Sequence, residues 1–462
     1  IFYNDGSYPT TAAGADAILT GESSTYYFGS SLAAGDFNQD GKSDISVGSI
    51  NGGANDVGKA YIFYNGNIST KNASAADVIL TGETTLTQFG TALVSGDFNA
   101  DGKTDLVVGA GRYSSYTGRV YIFYGGNIST KNASLADVII QGEAASDYFG
   151  VALASGDFNA DGKTDLVVGA YGYASNMGKI YLFYSQNGQV NTDKSIAGES
   201  ASNFAYALVA GDFNADGKTD LIAGAPDYST YTGRAYVFYQ DGSYPTAAAS
   251  ADAIITGETT SEYFGYSFAA GDFNTDGETD IAIGAYRATA SVGRAYIFYN
   301  GSITTENASG ADIIITGEAS SRIGISLAAG DFNADGKTDL AAGAYNYSAA
   351  AGRTYIFYNG SIITEDASGA DIIISGEGGS SFGMALAIGD FNADGKTDLA
   401  VGASAYSTST GRTYIFYNGS IITEAATGAD VIIQGEATTN YFGRALSSGD
   451  LNADGKTDLV VG

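Results

Sequence analysis

The chain of 462 residues has no cysteine, no histidine and only three prolines. Without cysteine there are no disulfides and no thiol chemistry. Without histidine as well, the Ser-His-Asp and Cys-His arrangements cannot be assembled, and zinc held through nitrogen or sulfur is excluded. No apolar run approaches the roughly 18 residues of a membrane span, and no secretory signal is visible. Basic residues are scarce too: 21 Lys and Arg stand against 51 Asp and Glu, a formal charge of −30. Phosphate binding needs a basic face, so nucleic acid is not an expected partner. Few prolines beside 65 glycines fit tight turns and close strand packing, and the three-residue period of collagen is absent.

What the chain has instead is one nine-residue pattern, Asp-x-Asn-x-Asp-Gly-x-x-Asp, eight times over. A hard cation such as Ca²⁺ takes about six to eight oxygens at roughly 2.3–2.6 Å, and alternate side chains of a tightly curled loop can all point at one centre. In the first copy the ligands are Asp36, Asn38, Asp40 and Asp44, with the backbone carbonyl of Lys42, and Gly41 makes the sharp turn. The same positions give Asp97, Asn99, Asp101, Lys103 and Asp105, then Asp157, Asn159, Asp161, Lys163 and Asp165. Next come Asp212, Asn214, Asp216, Lys218 and Asp220, and then Asp272, Asn274, Asp276, Glu278 and Asp280. The last three sets are Asp331, Asn333, Asp335, Lys337 and Asp339; Asp390, Asn392, Asp394, Lys396 and Asp398; and Asp450, Asn452, Asp454, Lys456 and Asp458. A plain Asp-Gly hairpin turn would account for one copy but not for eight identical donor sets. The pattern aspartates alone are 24 of the 51 acids, and eight dications, adding 16 charges, would bring −30 to −14. About eight Ca²⁺ per chain are expected.

Each loop is followed by a short apolar run rich in β-branched residues, such as Leu-Val-Val-Gly-Ala, so it hands over to a strand and not to the helix of an EF-hand or a dockerin-type module. First Asp to first Asp, the spacings are 61, 60, 55, 60, 59, 59 and 60 residues. A fixed period of that size signals a propeller or an array. One unit, from Phe89 to Glu143, reads as four strands, A to D, separated by turn chemistry, which is one antiparallel propeller blade. The chain starts and ends out of phase with its repeat. Ile1 to Tyr3 ends a strand C and Ala15 to Glu22 is a strand D, whereas Phe442 to Gly462 holds only a strand A, a loop and a strand B. The expected fold is therefore all-β: an eight-bladed β-propeller of four-stranded antiparallel blades, occupying 1–462 as a single domain and closed by a composite blade from 1–22 and 442–462. A seven-bladed ring with one extra repeat is the alternative. The missing B–C loop of the composite blade reads as the mark of a longer polypeptide.

These residues carry a resemblance. Phe-Gly followed by Gly-Asp-Phe-Asn-Ala-Asp-Gly-Lys-Thr-Asp-Leu-Val-Val-Gly-Ala is similar to the FG-GAP repeat of the integrin α-subunit head and of related bacterial, archaeal and fungal-lectin propellers. The resemblance implies calcium in the A–B loops of one face and ligand recognition by loops of the other. The sequence departs from the family in having eight loops where integrin heads have seven blades, and in keeping Gly-Ala-Pro only at Gly224-Ala225-Pro226. Ala205-Tyr206 and Ile323-Gly324 are read as replacing Phe-Gly, and the 55-residue unit as having a shortened strand D near Ser195-Ile196-Ala197. Integrin ligand choice is not carried over.

Open oxygen sites of this kind suit the calcium concentration outside cells, so the protein is expected to be extracellular or at a cell surface. Nine Asn-x-Ser sequons, at Asn67, Asn72, Asn127, Asn132, Asn300, Asn307, Asn346, Asn359 and Asn418, are compatible with a glycoprotein and equally with ordinary turn composition. A carboxylate pair for glycoside hydrolysis is conceivable, but the sequence singles out none. The Glu that ends each strand D and the Gly-Arg or Gly-Lys before strand C recur from unit to unit, which points to a repeated structural ion pair. The expectation is a non-enzymatic module. Recognition falls to the B–C and D–A loops, which vary most and mix Tyr with Ser, Thr, Asn and Gly. Tyr113, Tyr116, Tyr173, Tyr228 and Tyr231 are the candidate ligand residues, for a protein or glycan at a cell surface or for copies of the chain itself. A carbohydrate-binding lectin and a self-assembling surface-layer component are the competing classes. No membrane insertion is expected from this segment.

Overall fold

The six-residue run after each Asp-rich loop, such as Asp105–Ala110, is buried along its whole length. A strand apolar on both faces has to lie inside a sheet that is itself covered on both sides. In the computed structural model, which describes residues 1–462 apart from 5–7, 24–26, 66, 67, 127, 187, 188, 302, 452 and 453, that requirement is met by blades packed face to face around a ring. Asp105–Ala110 is strand B of an antiparallel sheet whose other members are Leu93–Gly96 (A), Arg119–Phe123 (C) and Val138–Gln141 (D), in the order A-B-C-D. Leu106 stands opposite Phe123, and Val120 opposite Ile140.

Six more blades repeat it, with Phe28–Gly35, Ala152–Gly156, Leu208–Gly211, Ser267–Gly271, Ser326–Gly330 and Ala385–Gly389 as their A strands. The chain ends meet between the last of these and the first. Leu446–Gly449 pairs with Asp458–Val461, and Phe2 and Leu459 exchange backbone hydrogen bonds of 2.9 and 3.0 Å. The protein is an all-β propeller of four-stranded antiparallel blades.

Among the described residues eight apolar clusters hold the ring, each shared by two neighbouring blades. Phe89 joins Ile62 and Leu80 of one blade to Val108 and Phe123 of the next. It meets the Tyr121 and Phe123 rings edge-on at 5.2 and 6.4 Å, a geometry worth roughly 0.5–1.5 kcal/mol beyond the burial itself. The seam at the chain ends is built in the same way: Phe2 and Leu459 pack on Phe391 and Ile415, while Ile1 and Val460 pack on Ile45 and Phe63. Two glycines let the Phe-Gly backbone of one blade rest on its neighbour. A Cβ on Gly109 would lie 2.0 Å from the Gly150 carbonyl oxygen, and one on Gly118, at φ +82°, would lie 2.2 Å from that of Phe149.

The outer edge of each blade is a row of free backbone groups that could recruit another strand. On several blades the following blade covers it with two residues in parallel pairing, such as Lys131–Asn132 on Leu80 and Thr81, and Glu306–Asn307 on Ile255 and Thr256, whereas Val138–Gln141 has no such cover among the described residues.

Two expectations are corrected. Strand D of the 55-residue unit is not shortened: Gln189–Ala197 is nine residues long and pairs with Lys179–Gln186, so the deletion falls in the C–D connection. The Phe-Gly variant there is Phe204-Ala205 and not Ala205-Tyr206, because Phe204 bridges Gly178 as Phe149 bridges Gly118. Ala205 takes the glycine's place at φ 70°.

Candidate functional site

Strand direction puts the Asp-rich A–B loops and the C–D connections on one face, and the B–C and D–A loops on the other. On the first face the loop side chains turn inward onto the loop's own amides. In the loop starting at Asp97, Asp101 N–H donates to Asp97 Oδ1 at 3.0 Å and to Asn99 Oδ1 at 2.9 Å. Gly102 N–H donates to Asp97 Oδ2 at 2.8 Å, and Lys103 N–H to Asp101 Oδ1 at 3.0 Å. The other loops repeat this pattern, Asn274 and Asn333 included; Asn452 lies outside the described residues.

The ninth-position Asp behaves differently. Asp105 is fully buried; its Oδ2 accepts Phe98 N–H at 2.9 Å and its Oδ1 accepts Gly125 N–H, at the end of strand C, at 2.7 Å. Asp44, Asp165, Asp220, Asp280, Asp339, Asp398 and Asp458 make the same two bonds, the second from Asn65, Ser185, Gln240, Asn300, Asn359, Asn418 and Asn4. Burial pushes these carboxyls up, to about 7 at Asp105 and Asp165 and to about 6 at the other six, against the opposing pull of the backbone N–H groups. These carboxylates tie loop to sheet, a role the nine-residue pattern alone does not reveal.

Among the described residues no three or more acidic side chains gather at one point. The donor set of each loop is nevertheless all hard oxygen, carboxylate, carboxamide and backbone carbonyl, as Ca²⁺ requires. A carboxylate has about four lone-pair sites, so the oxygens that accept N–H bonds keep capacity for a cation. Lys103, Lys163 and Lys218, singled out for their carbonyls, also place Nζ 3.5, 3.6 and 3.1 Å from the fifth-position Asp of their own loops.

Several loops are also gripped by the next blade. Asn359 Nδ2 donates to the Asp272 carbonyl at 2.9 Å, Asn418 to that of Asp331 at 2.7 Å, and Asn4 to that of Asp390 at 2.9 Å. Two sequon residues, Asn359 and Asn418, are thereby buried, and Asn300 is buried without such a bond, whereas Asn72, Asn132 and Asn307 are exposed and Asn346 is half-buried; Asn67 and Asn127 lie outside the described residues. Expressed in a glycosylating host, the folded protein should carry no glycan at Asn300, Asn359 or Asn418. Peptide mapping checks this, and occupancy at Asn359 would show that the pin does not form.

On the opposite face the recurrent Glu and cation do pair, across blades. Arg119 Nη1 meets Glu83 at 2.9 Å, Lys59 meets Glu22 at 2.7 Å, and Arg294 meets Glu258 at 2.8 Å, with Arg234, Arg353 and Arg412 bonded to Glu199, Glu318 and Glu377 in the same way. These cations cover three of the five candidate tyrosines. Arg119 lies 3.8 Å from the Tyr113 ring centre, Lys179 4.7 Å from Tyr173 and Arg234 3.7 Å from Tyr228. Tyr347 and Tyr406 repeat the stack on Arg353 and Arg412, which marks it as part of the blade junction. Tyr116 and Tyr231 are free of it, 41% and 42% exposed. They follow residues held at positive φ, 114–115 and 229–230, and share that conformation, a left-handed turn that costs about 1–2 kcal/mol per residue.

Tyr116 and Tyr231 lead into a group of rings that sequence reasoning had not named. Tyr116 meets Tyr148 at 5.1 Å, Tyr148 stacks on Tyr171 at 4.9 Å, and Tyr171 approaches Tyr206 at 6.2 Å. Tyr231 stacks on Tyr263 at 4.9 Å, Tyr263 meets Tyr286 at 5.4 Å, and Tyr286 meets Tyr266 at 4.5 Å. Tyr206 and Tyr266, 5.3 Å apart, join the two runs. Burial raises the Tyr286 hydroxyl to about 12 and raises Tyr171 as well, so both stay neutral donors. The signal for these rings was their irregularity: the position of Tyr148 is Gln88, Asn203 or Arg322 in other units.

With this geometry in place, comparison with known proteins is informative. A model of the FG-GAP repeat matches residues 28–63, 89–123, 149–183, 204–238, 264–298, 323–357, 382–416 and 442–462. The phosphatidylinositol-glycan-specific phospholipase D of Bos taurus is 34% identical over 205 residues, 39% of this chain and 24% of that protein. Integrin alpha-PS2 of Drosophila melanogaster is 35% identical over 242 residues, 47% of this chain and 16% of the integrin. Integrin alpha-5 of Xenopus laevis is 31% identical over 245 residues, 49% of this chain and 22% of the integrin. The matched segment is a quarter or less of the length of each of these relatives. The fold also aligns with the crystal structure of the V. cholerae biofilm matrix protein Bap1 over 93% of this chain and 83% of that one, at 11% identity and a TM-score of 0.46, a likeness too distant to carry an argument.

Proposed function

This chain belongs to the FG-GAP repeat family, and from that premise we propose that it is a calcium-stabilised, non-enzymatic recognition propeller working outside cells or at a cell surface. Residues 1–462 form one domain in this reading, with 1–22 and 442–462 closing the ring. The observation that carries it is the contrast between the two faces. One repeats the same oxygen-rich loop in every blade, as a structural ion site would. The other carries an irregular set of tyrosines and arginines, and variation within a repeat array is where a specific function can sit. Phospholipase D activity belongs to relatives of which this chain matches only a quarter. The partner is a protein or a glycan, as suits the integrin relatives. Among the described residues no helix is long and apolar enough to cross a membrane.

A chain without cysteine allows a clean test. Ser115→Cys on the Tyr-rich face and Ala160→Cys on the Asp-rich face, both exposed positions, each accept one polyethylene glycol chain. The Ser115 adduct is expected to abolish attachment of the protein to cell and glycan-coated surfaces, and the Ala160 adduct to leave it intact. The reverse result would place recognition on the Asp-rich face.

A further inference from the structure

Four arginines, Arg112, Arg287, Arg322 and Arg444, stand outside the position that pairs with the recurrent Glu, and all four lie in B–C or D–A loops of the Tyr-rich face. Among the described residues none of them forms an ion pair with a carboxylate. In a chain of formal charge −30 that is a concentration of free positive charge on one face. Arg112 and Arg287 sit at the two ends of the tyrosine group, 5.6 Å from the Tyr116 ring and 5.2 Å from the Tyr263 ring.

Arg112 opens onto a cavity of about 410 Å³, lined chiefly by Gln88, Thr91, Arg112, Tyr148, Tyr171 and Tyr206. Three kinds of group therefore converge. The Tyr148 and Tyr171 rings stack on each other, 4.9 Å apart with 16° between planes, and with Tyr206 they form an aromatic wall of the cavity. Gln88 and Thr91 supply donors and acceptors that suit hydroxyl groups. Arg112 supplies a planar fork whose geometry matches a carboxylate. A pyranose ring has an apolar face that stacks on such a wall and a rim of hydroxyls, and only an acidic sugar adds the carboxylate. The aromatic surface then runs on through Tyr206, Tyr266 and Tyr286 towards Arg287, a platform that repeats as the sugars of a polymer do.

We propose that the Tyr-rich face binds an acidic polysaccharide, one uronate unit seated in the cavity with its carboxylate on Arg112 and its ring against the Tyr148–Tyr171 stack. This rests on the assignment of that face as the recognition face and names its ligand class. The test titrates the calcium-loaded full chain with a hyaluronan hexasaccharide, which alternates glucuronate with N-acetylglucosamine, and with neutral chitohexaose. Hyaluronan is expected to bind saturably and at least about tenfold more tightly than chitohexaose, the margin of a charge-assisted pair. Arg112→Gln, an exposed position, should weaken hyaluronan about tenfold and leave chitohexaose unchanged, whereas Tyr171→Ala should weaken both, with melting and calcium content as in the parent. Absence of saturable hyaluronan binding, or binding indifferent to Arg112→Gln in a folded variant, overturns the proposal. If it is overturned while the Ser115 adduct still blocks attachment to cells, the ligand class is wrong and the recognition face stands; if that adduct also has no effect, both fall.

Discussion

Stripping calcium from this protein at neutral pH is expected to lower its melting temperature by more than about 10 °C, and metal analysis of the calcium-loaded form is expected to return close to eight ions per chain. The magnitude follows from mass action. A ligand that binds only the folded state contributes about 2.7 kcal/mol per site at a hundredfold excess over its dissociation constant. Eight sites on one ring add several such increments. Differential scanning calorimetry with and without EGTA reads the shift. An unmoved midpoint would show the loops to be turns, and three or fewer bound ions would show that most of the eight donor sets do not close on a cation.

The second large effect separates the two roles inside one loop. Asp105→Asn is expected to destabilise the protein by roughly 2–4 kcal/mol even in EGTA, because the amide group cannot accept both buried N–H bonds that Asp105 now receives. Asp101→Asn, in the exposed part of the same loop, should cost little in EGTA and should remove only the increment that calcium adds. Paired melts of the two variants, each with and without calcium, decide the matter. Equal behaviour in EGTA would mean that the hydrogen bonds from Phe98 and Gly125 carry no net stability and that Asp105 acts as a ligand alone.

The Arg–Glu junction illustrates how far a repeat can be read. Its two halves recur 35 to 37 residues apart, Glu83 before Arg119, Glu318 before Arg353 and Glu22 before Lys59, so pairing is legible without coordinates. That the same arginine also covers a tyrosine ring is not, since Tyr113 and Arg119 are brought together by the left-handed turn between them, a backbone conformation that Ser114 and Ser115 do not announce. The shortened unit taught a similar lesson. A deletion of about five residues relative to its neighbours is visible in the spacing, but whether strand or connection absorbs it depends on the pairing of Gln189–Ala197 with its partner.

The sequence by itself determined the repeat and the order of strands within it, because each is a local pattern that recurs along the chain and a recurring local pattern has one consistent solution. Tertiary structure alone decided which carboxylates serve the sheet, since the amides that meet Asp105 and Asp339 come from strand ends 20 residues away. It decided likewise which tyrosines are free. Tyr148, Tyr171 and Tyr206 reach one cavity from three loops of adjacent blades, and contacts that join different repeats leave no period in the chain for a reader to find.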